Sequence, residues 1–400
     1  MSIIRTSLGQ FLHSSRQSLL SSLGASKPVN IVIGNQSADI DSFASSIIYA
    51  YYSPDPSPVP FLSIPRADLA LRPEILHLCS LFSISPSDLL FTDDPPIASL
   101  PVSGTTLTIV DHNRLESDIR SHFPDDSTVR AVIDHHDDEG FYLSASPRII
   151  EKSGSCTSLI ANHFKSSFPT EGPVRGDLAR LTLAAVLIDT TNMTNKVTQH
   201  DERALKFLEV QIQKSASEDG GDAPEKWDRK AFFDGVWGAK NNVDKLPLRD
   251  LLRKDWKEWV EIVDETGEEQ KVGIASIPRE LNWLKERERG DGFIDGVKAW
   301  AEERELDVAC IMTTTGRGGE FRRELLVWEL TNRANGCISA FTEKAKEAGL
   351  GLGEWQNGSL DVGSERRAWT QADLTASRKQ VAPLLRESVR AGVGKNLSQV

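Results

Sequence analysis

Val129-Arg-Ala-Val-Ile133 runs directly into Asp134-His135-His136, a cluster of one acid and two imidazoles. Such a short run of apolar, largely β-branched residues predicts a strand buried on both faces, as in a parallel sheet covered by helices. Two earlier runs show the same pattern: residues 29–33 lead into a polar loop, and residues 107–110 lead into Asp111-His112-Asn113. The sequence therefore predicts an α/β domain whose parallel strands end in acids and histidines.

A fourth apolar segment, residues 181–188, is followed by Asp189 and is predicted to be another strand of this sheet. Because ligands bind at the carboxyl ends of parallel strands, we expect the acids and histidines of separate segments to meet at one edge. Carboxylates with imidazoles and no thiolates favour Mn²⁺ or Mg²⁺ over structural zinc. Asp39 and Asp41 are two residues apart, so in an extended loop they can face different ions. The set is large enough to hold the two divalent cations typical of phosphoryl hydrolysis.

Each cluster alone has an ordinary structural explanation. An Asp-x-Asp pair is common at a helix N-terminus, where Asp41 before Ser42 would act as a cap. Asp111-His112-Asn113 alone is compatible with a turn. Four such clusters at the ends of four apolar segments are improbable by chance, and we therefore interpret them together as a metal site.

Composition indicates a globular protein of two domains. Of its residues, 39% are hydrophobic and 26% are charged, as in a globular protein. Its length of 400 residues exceeds what one ordinary hydrophobic core supports. All eight histidines lie in residues 1–200 and all nine tryptophans lie in residues 201–400. The small, polar segment Ser-Ala-Ser-Glu-Asp-Gly-Gly-Asp-Ala-Pro at residues 215–224 is the best linker candidate. We predict domains at residues 1–214 and 225–400.

Charge, apolar run length and cysteine spacing indicate which binding partners and which cellular compartment to expect. A net charge of −12 argues against nucleic acid, because a nucleic-acid coat needs a basic face. No apolar run approaches the roughly 20 residues of a membrane span. The four cysteines form no C-x-x-C pair, which favours a reducing compartment. We expect a cytoplasmic monomer. The first 38 residues are serine-rich and contain no acid, which is compatible either with a docked helix over residues 3–23 or with a mitochondrial transit peptide. The mitochondrial matrix is therefore the alternative compartment.

Five motifs in order resemble the DHH phosphoesterase superfamily. Asp39-x-Asp41-Ser42, Asp111-His112-Asn113, Asp134-His135-His136 and Asp189-Thr190 are similar to its four N-terminal motifs. Ser377-Arg378-Lys379-Gln380 resembles the signature of the DHHA2 C-terminal domain. The resemblance implies an N-terminal parallel-sheet DHH domain sandwiched by helices, followed by a smaller α/β DHHA2 domain that closes over the site and supplies cations.

Asn35 distinguishes between branches of the superfamily. Family II inorganic pyrophosphatases open with His-x-x-x-Asp-x-Asp, whereas this chain has Asn35 four residues before Asp39. The pattern is closer to the fungal cytosolic exopolyphosphatases and to prune proteins. It implies an exopolyphosphatase that releases terminal orthophosphate from polyphosphate with Mg²⁺ or Mn²⁺. The alternatives are a prune-like short-chain polyphosphatase or phosphodiesterase, a manganese-dependent pyrophosphatase, and a non-catalytic prune-like interaction protein.

The resemblance also implies roles for individual residues. One metal would lie near Asn35, Asp39 and Asp111. The second would be held by Asp41, Asp111, His135 and Asp189, with Asp111 bridging the two ions and His136 facing the phosphate. Asp134 would orient a histidine, and His112 would either do the same or contact phosphate. Further phosphate contacts are expected from Arg378, Lys379 and one of Lys240 and Lys245.

Overall fold

The chain forms two compact units, Met1–Asn242 and Val243–Val400. The computed structural model describes residues 7–25, 27–54, 58–115, 117–169, 172, 174–218, 227–264, 266–315 and 321–391. In this described part, no helix combines the length and the apolar character needed to cross a membrane.

The first unit is built on a sheet of five parallel strands in the order β2-β1-β3-β4-β5. The strands are β1 Asn30–Ile33, β2 Pro58–Phe61, β3 Thr106–Val110, β4 Val129–Asp134 and β5 Arg148–Ile150. The three strands predicted from residues 29–33, 107–110 and 129–133 are confirmed as β1, β3 and β4. Because these three are neighbours in the sheet, the loops that follow them lie side by side.

Eight helices accompany this sheet in the described part of the first unit. They are α1 Leu8–Gly24, α2 Ile40–Tyr52, α3 Pro73–Leu81, α4 Ser117–His122, α5 Cys156–His163, α6 Val174–Asp189, α7 Gln199–Glu218 and α8 Arg229–Lys240. Separate apolar cores lie on the two faces of the sheet. The helix predicted over residues 3–23 is observed as α1 from Leu8 onward, and residues 3–6 lie outside the described part of the chain. Its buried Leu8, Phe11 and Leu12 join the larger of these cores.

The strand predicted at residues 181–188 was wrong: this segment is the second half of helix α6. Leu181, Leu183 and Leu187 are at most 1% exposed, and α6 packs among α2, α5 and α7. A helix surrounded by other helices is apolar on every side, so its sequence has the same continuous pattern as a buried strand. Asp189 therefore approaches the sheet edge from a helix C-terminus.

The division between the units falls later than the predicted linker at residues 215–224. Helix α7 continues through Glu218, and residues 219–226 lie outside the described part of the chain. Beyond them, α8 packs on α3 and α6, and its buried Val236 belongs to the first unit's core. Trp227 and Trp237 also pack against that core. The change in tryptophan content thus precedes the structural boundary, because an amphipathic helix after the polar segment returns to the first unit.

The second unit is a smaller α/β domain, as predicted. Its six strands are β6 Trp256–Ile262, β7 Glu269–Ile277, β8 Val308–Thr315, β9 Arg322–Glu329, β10 Leu352–Glu354 and β11 Arg366–Gln371. They are ordered β10-β11-β9-β8-β7-β6, and among these described strands only β7 and β8 pair in parallel. Helices α9 Leu248–Lys254, α10 Leu281–Glu288 and α11 Gly292–Glu303 contribute to one core. Helices α12 Cys337–Glu347 and α13 Arg378–Ala391 contribute to the other.

Replacing Leu187 by alanine tests whether α6 is the buried helix on which the first unit depends. The side chain is 1% exposed, so Leu187→Ala should lower the free energy of unfolding by about 2–5 kcal/mol. Leu143, which is 77% exposed, provides the control, and Leu143→Ala should cost less than about 0.5 kcal/mol. Urea unfolding followed by circular dichroism measures both. Equal midpoints for the two variants would contradict the buried position of α6.

Candidate metal centre

Asp111 lies at the centre of the candidate site. It is the first residue after β3, is 2% exposed, and has a left-handed backbone with φ of 63°. Its Oδ2 accepts hydrogen bonds from Asn35 Nδ2 at 2.8 Å and from Ser42 Oγ at 2.7 Å. Its Oδ1 is 3.3 Å from His135 Nε2. A left-handed aspartate at a strand end costs backbone energy, and such residues concentrate at functional sites.

The loop between β1 and α2 brings two further predicted residues beside Asp111. Asn35 donates to Asp111 from Nδ2, while its Oδ1 accepts from Ser37 N at 2.8 Å. Asp39 is the N-cap of α2, and its Oδ1 accepts from Ser42 N at 3.1 Å. Gly34 permits this tight loop, since a Cβ there would lie 2.6 Å from the Ser42 Cβ. In this arrangement one oxygen of Asp39 and the Asn35 carbonyl are already engaged with backbone donors.

Asp41 is held between two helix N-termini. It lies in the first turn of α2 and is 2% exposed. Its carboxylate accepts from the backbone N–H groups of Cys156 at 2.7 Å and Thr157 at 3.0 Å, at the start of α5. The Ser155 hydroxyl also donates to it at 2.7 Å. Unpaired N–H groups and the positive end of the helix dipole stabilise such a buried anion.

The two histidines after β4 are held in defined orientations. His135 Nδ1 donates to the Ser153 carbonyl at 3.0 Å, which leaves Nε2 facing Asp111 and Asp41. His136 Nδ1 donates to Asp134 Oδ1 at 2.8 Å. Asp134 also accepts from the Asn113 side chain at 2.5 Å, so it is anchored as well as buried. Carbonyl and carboxylate partners of this kind fix which imidazole nitrogen is available to a ligand.

Asp111, Asp134, His135 and His136 each offer a ligand atom within 4.8 Å of the others. Asp41 lies just outside this group, with Oδ2 3.8 Å from His135 Nε2. Asp189 Oδ2 is buried and has no hydrogen-bond partner in the described part of the chain. A buried carboxylate oxygen without a protein donor is typical of a metal ligand, because a bound cation can compensate its charge in place of a hydrogen bond.

Burial and mutual repulsion make negative charge on these acids unfavourable. Burial, followed by the charge of Asp41, raises the pKa of Asp111 and of Asp189 well above the usual carboxyl range. Burial alone would lower the pKa of His135, but its hydrogen bond with Asp111 and the charge of Asp41 raise that pKa to about 10. A divalent cation would relieve the repulsion between these carboxylates. Oxygen ligands with imidazole suit Mg²⁺ or Mn²⁺, so the residues present fit the predicted metals.

Asp134 belongs to the group of four candidate ligands, whereas His112 lies outside it. His112 Nδ1 donates to the Val110 carbonyl at 2.9 Å, and its Nε2 is buried without a partner among the described residues. Burial lowers the pKa of His112, which favours the neutral ring. Burial raises the pKa of Asp134, but hydrogen bonding to His136 outweighs it and lowers that pKa to about 2. Asp134 thus stays ionised.

The predicted cationic residues are divided between the units. Lys240 ends α8 in the first unit, and its charge acts to lower the pKa of Asp189. Lys245, Arg378 and Lys379 belong to the second unit. There Arg378 begins α13 and forms an ion pair with Asp255, with Nη2 2.7 Å from Oδ1.

Sequence reasoning missed the segment that supports Asp41 and His135. In Ser153-Gly-Ser-Cys-Thr-Ser158, the Ser153 carbonyl accepts a hydrogen bond from His135, and the following residues donate hydrogen bonds to Asp41. The signal was present, since a run of small hydroxyl residues before an apolar helix is typical of a helix N-terminus. Nothing in the sequence indicated that this N-terminus would face the ends of β1 and β4.

Comparisons with known proteins identify the family of this chain. Residues 30–186 match the description "DHH family, N-terminal domain", and residues 236–388 match "DHHA2 domain". A protein of Schizosaccharomyces pombe with the name "Putative exopolyphosphatase" is 34% identical over 97% of this chain and 100% of its own length. The chain belongs to the DHH family.

More distant relatives also match over more than nine tenths of this chain. The Rattus norvegicus protein named "Exopolyphosphatase PRUNE1" is 25% identical over 94% of this chain and 78% of its own length. Among solved structures, one described as a Methanococcus jannaschii "putative family II inorganic pyrophosphatase" matches with a TM-score of 0.54 and 21% identity. It covers 91% of this chain and 100% of that one, which shows that the fold is shared.

Replacing Asp189 by asparagine should reverse its effect between metal-free and metal-loaded protein. A carboxyl whose pKa is raised in the folded state contributes stability that is lost as pH rises above the ordinary carboxyl range. In EDTA at pH 8, Asp189→Asn should therefore unfold at higher urea concentration than wild type, by on the order of 1 kcal/mol. Its Mn²⁺ affinity should fall by about tenfold or more.

Asp177→Asn on the same helix is the matched control, because Asp177 pairs with Arg180 at the partly exposed start of α6. It should change neither quantity. The measurements are urea unfolding and isothermal titration with Mn²⁺. An Asp189→Asn variant that is destabilised in EDTA would show that the carboxylate has a fixed protein partner and is not reserved for a cation.

Proposed function

We propose that the chain is a metal-dependent exopolyphosphatase, which hydrolyses the terminal phosphoanhydride bond of inorganic polyphosphate. The observation that supports this most strongly is the cluster of buried Asp41 and Asp111 with partly buried His135. The charge of Asp189 acts on the same imidazole, and its Oδ2 has no partner among the described residues. The relative with 34% identity, which aligns over 97% of this chain and has the name "Putative exopolyphosphatase", supports the choice of substrate.

Five residues are our proposed ligands for two divalent cations: Asp39, Asp41, Asp111, His135 and Asp189, with Asp111 shared. Asn35 remains a candidate sixth ligand, although its carbonyl oxygen accepts from Ser37 N and its amide donates to Asp111. Two such cations, when bound, would activate a water molecule and neutralise charge on the phosphoryl group. We propose Mg²⁺ or Mn²⁺, since an amide in place of imidazole makes the first site harder in character.

His136 is our proposed phosphate contact in the first unit. Its Nδ1–H is committed to Asp134, so its Nε2 is the atom available to a phosphoryl oxygen, and the side chain is 44% exposed. His112 offers a second, more buried imidazole nitrogen. Both rings are oriented before any substrate arrives, which removes part of the entropy cost of binding.

Cations are proposed to neutralise the phosphate chain. Lys240 is favoured over Lys245 because its charge already acts on Asp189. Arg378 and Lys379 stay proposed contacts on chemical grounds, since a guanidinium binds phosphate through paired N–H groups and an ammonium acts as a point charge. Asp255 holds the Arg378 guanidinium in place through the 2.7 Å ion pair.

We further propose a cytoplasmic location. All four cysteines are free and buried, as expected in a reducing compartment. The monomeric state and the absence of a nucleic-acid partner stay predictions.

Phosphate release from long-chain polyphosphate and from pyrophosphate, measured side by side with Mg²⁺ and then Mn²⁺, tests the substrate. We expect release from polyphosphate to be much faster, and chain-length analysis should show orthophosphate without mid-length fragments. Faster release from pyrophosphate would assign the chain to the pyrophosphatases despite Asn35. Inactivity on both substrates would favour a nucleotide substrate or the interaction-protein alternative.

Asp111→Asn tests the site itself. The substitution keeps the side-chain shape but removes the charge that two ions would share, so kcat should fall by about 100-fold or more with little change in circular dichroism. Asp125, which is exposed and caps a short turn through Ser127, provides the control, and Asp125→Asn should keep wild-type kcat. Wild-type turnover by Asp111→Asn would contradict the shared-ligand assignment.

A further inference from the structure

Asp201 is a fully buried carboxylate that the proposed mechanism does not use. It lies in the first turn of α7 and is 0% exposed. Its Oδ1 accepts from the hydroxyls of Ser153 at 3.0 Å and Ser158 at 2.7 Å. Its Oδ2 accepts from Gly154 N at 2.9 Å and from the Thr198 backbone and hydroxyl, both at 2.7 Å. Five donors therefore converge on one carboxylate.

Three of these donors belong to the segment that carries the supports of the metal centre. Within residues 153–158, the Ser153 carbonyl accepts from His135 Nδ1–H. In the same segment, Ser155, Cys156 and Thr157 donate to Asp41. This one segment, the loop before α5 together with its first turn, therefore sets the orientation of the His135 imidazole and of the Asp41 carboxylate, which both lie near Asp111.

The loop has little freedom to adopt another path. A Cβ on Gly154 would lie 2.6 Å from Thr190 Cγ2, 2.9 Å from the Lys196 carbonyl and 3.0 Å from Asp201 Oδ2. The loop backbone is therefore packed directly against the end of α6 and the start of α7. A shift of this backbone would move both supports of the metal centre together.

The charge of Asp201 is retained despite its burial. Burial raises its pKa, but the hydrogen bonds from Ser158 and Thr198 outweigh that effect and lower it. The two backbone N–H groups at Oδ2, from Gly154 and Thr198, can only donate, whereas the hydroxyls can also accept. An asparagine would keep its carbonyl oxygen toward these N–H groups and turn its NH₂ group to the Ser153 and Ser158 hydroxyls, so the loop would lose two charge-assisted hydrogen bonds.

We propose that Asp201 is a positioning residue for the metal centre. It holds residues 153–158 so that His135 presents Nε2, and Asp41 its carboxylate, to the cations. This inference rests on the proposed metal-dependent function. It predicts that loss of Asp201 weakens metal binding through residues that Asp201 does not touch.

The test compares Mn²⁺ binding by EDTA-stripped wild type, Asp201→Asn and Leu208→Ala in isothermal titrations at a temperature where all three are folded. Asp201→Asn should bind Mn²⁺ about 10–100-fold more weakly, as for other groups that orient a metal ligand. Leu208 is a fully buried residue of the same helix, so Leu208→Ala should lower the Tm comparably. It should keep wild-type Mn²⁺ affinity.

A second readout follows the imidazole directly. In ¹⁵N-histidine spectra of metal-free protein, the His135 ring signals, assigned by their loss in His135→Gln, should move in Asp201→Asn and stay in place in Leu208→Ala. If Asp201→Asn does not fold, the double variant Ser153→Ala/Ser158→Ala removes both donors to Oδ1 and keeps the charge. It should also weaken Mn²⁺ binding.

The outcomes separate this inference from the proposed function. A wild type that binds no Mn²⁺ would overturn the metal-dependent function. A wild type that binds Mn²⁺, with unchanged affinity in Asp201→Asn or in the double variant, would overturn the positioning role alone. Equal loss of affinity in Leu208→Ala would also overturn it, because the effect would then follow stability.

Discussion

Mutual repulsion among buried carboxylates at the ends of β1 and β3 is the constraint on which the first unit depends. Asp41 and Asp111 are each 2% exposed, and their charges raise the pKa of Asp189 beyond the effect of burial. Such a group of acids is unfavourable in an apolar interior unless cations or donors compensate it. The fold supplies donors for part of this charge and leaves the rest for a ligand.

The hydrogen-bond donors to these carboxylates come from a helix N-terminus and from nearby polar side chains. Backbone N–H groups at the N-terminus of α5 donate to Asp41. The side chains of Asn35 and Ser42 donate to Asp111, and the side chain of Asn113 donates to Asp134. By contrast, Asp189 Oδ2 has no donor in the part of the chain that is described. This difference identifies where protein hydrogen bonding ends and metal binding is proposed to begin. Because some of these donors belong to residues 153–158, Asp201, which holds that segment, is proposed to affect the metal centre without touching it.

Much of this arrangement is predictable from the sequence, because polar clusters after short apolar runs indicate strand ends in a parallel sheet. The positions of Asp111, His135 and His136 follow from that rule alone. Residues 181–188 could not be assigned in the same way, since a helix buried on all sides and a buried strand have the same apolar pattern. The return of α8 to the first unit and the contact of residues 153–158 with Asp41 depend on long-range packing. Local sequence does not encode such contacts.

The proposed function requires two divalent cations among these acids. Anomalous diffraction from crystals of the Mn²⁺-loaded protein, measured at the manganese absorption edge, tests this arrangement. We expect two anomalous peaks about 3.5–4 Å apart, both within ligand distance of Asp111, and one of them beside His135 Nε2. An Mn²⁺-soaked crystal without an anomalous peak at Asp111, or with a single peak bound only by exposed acids, would contradict it.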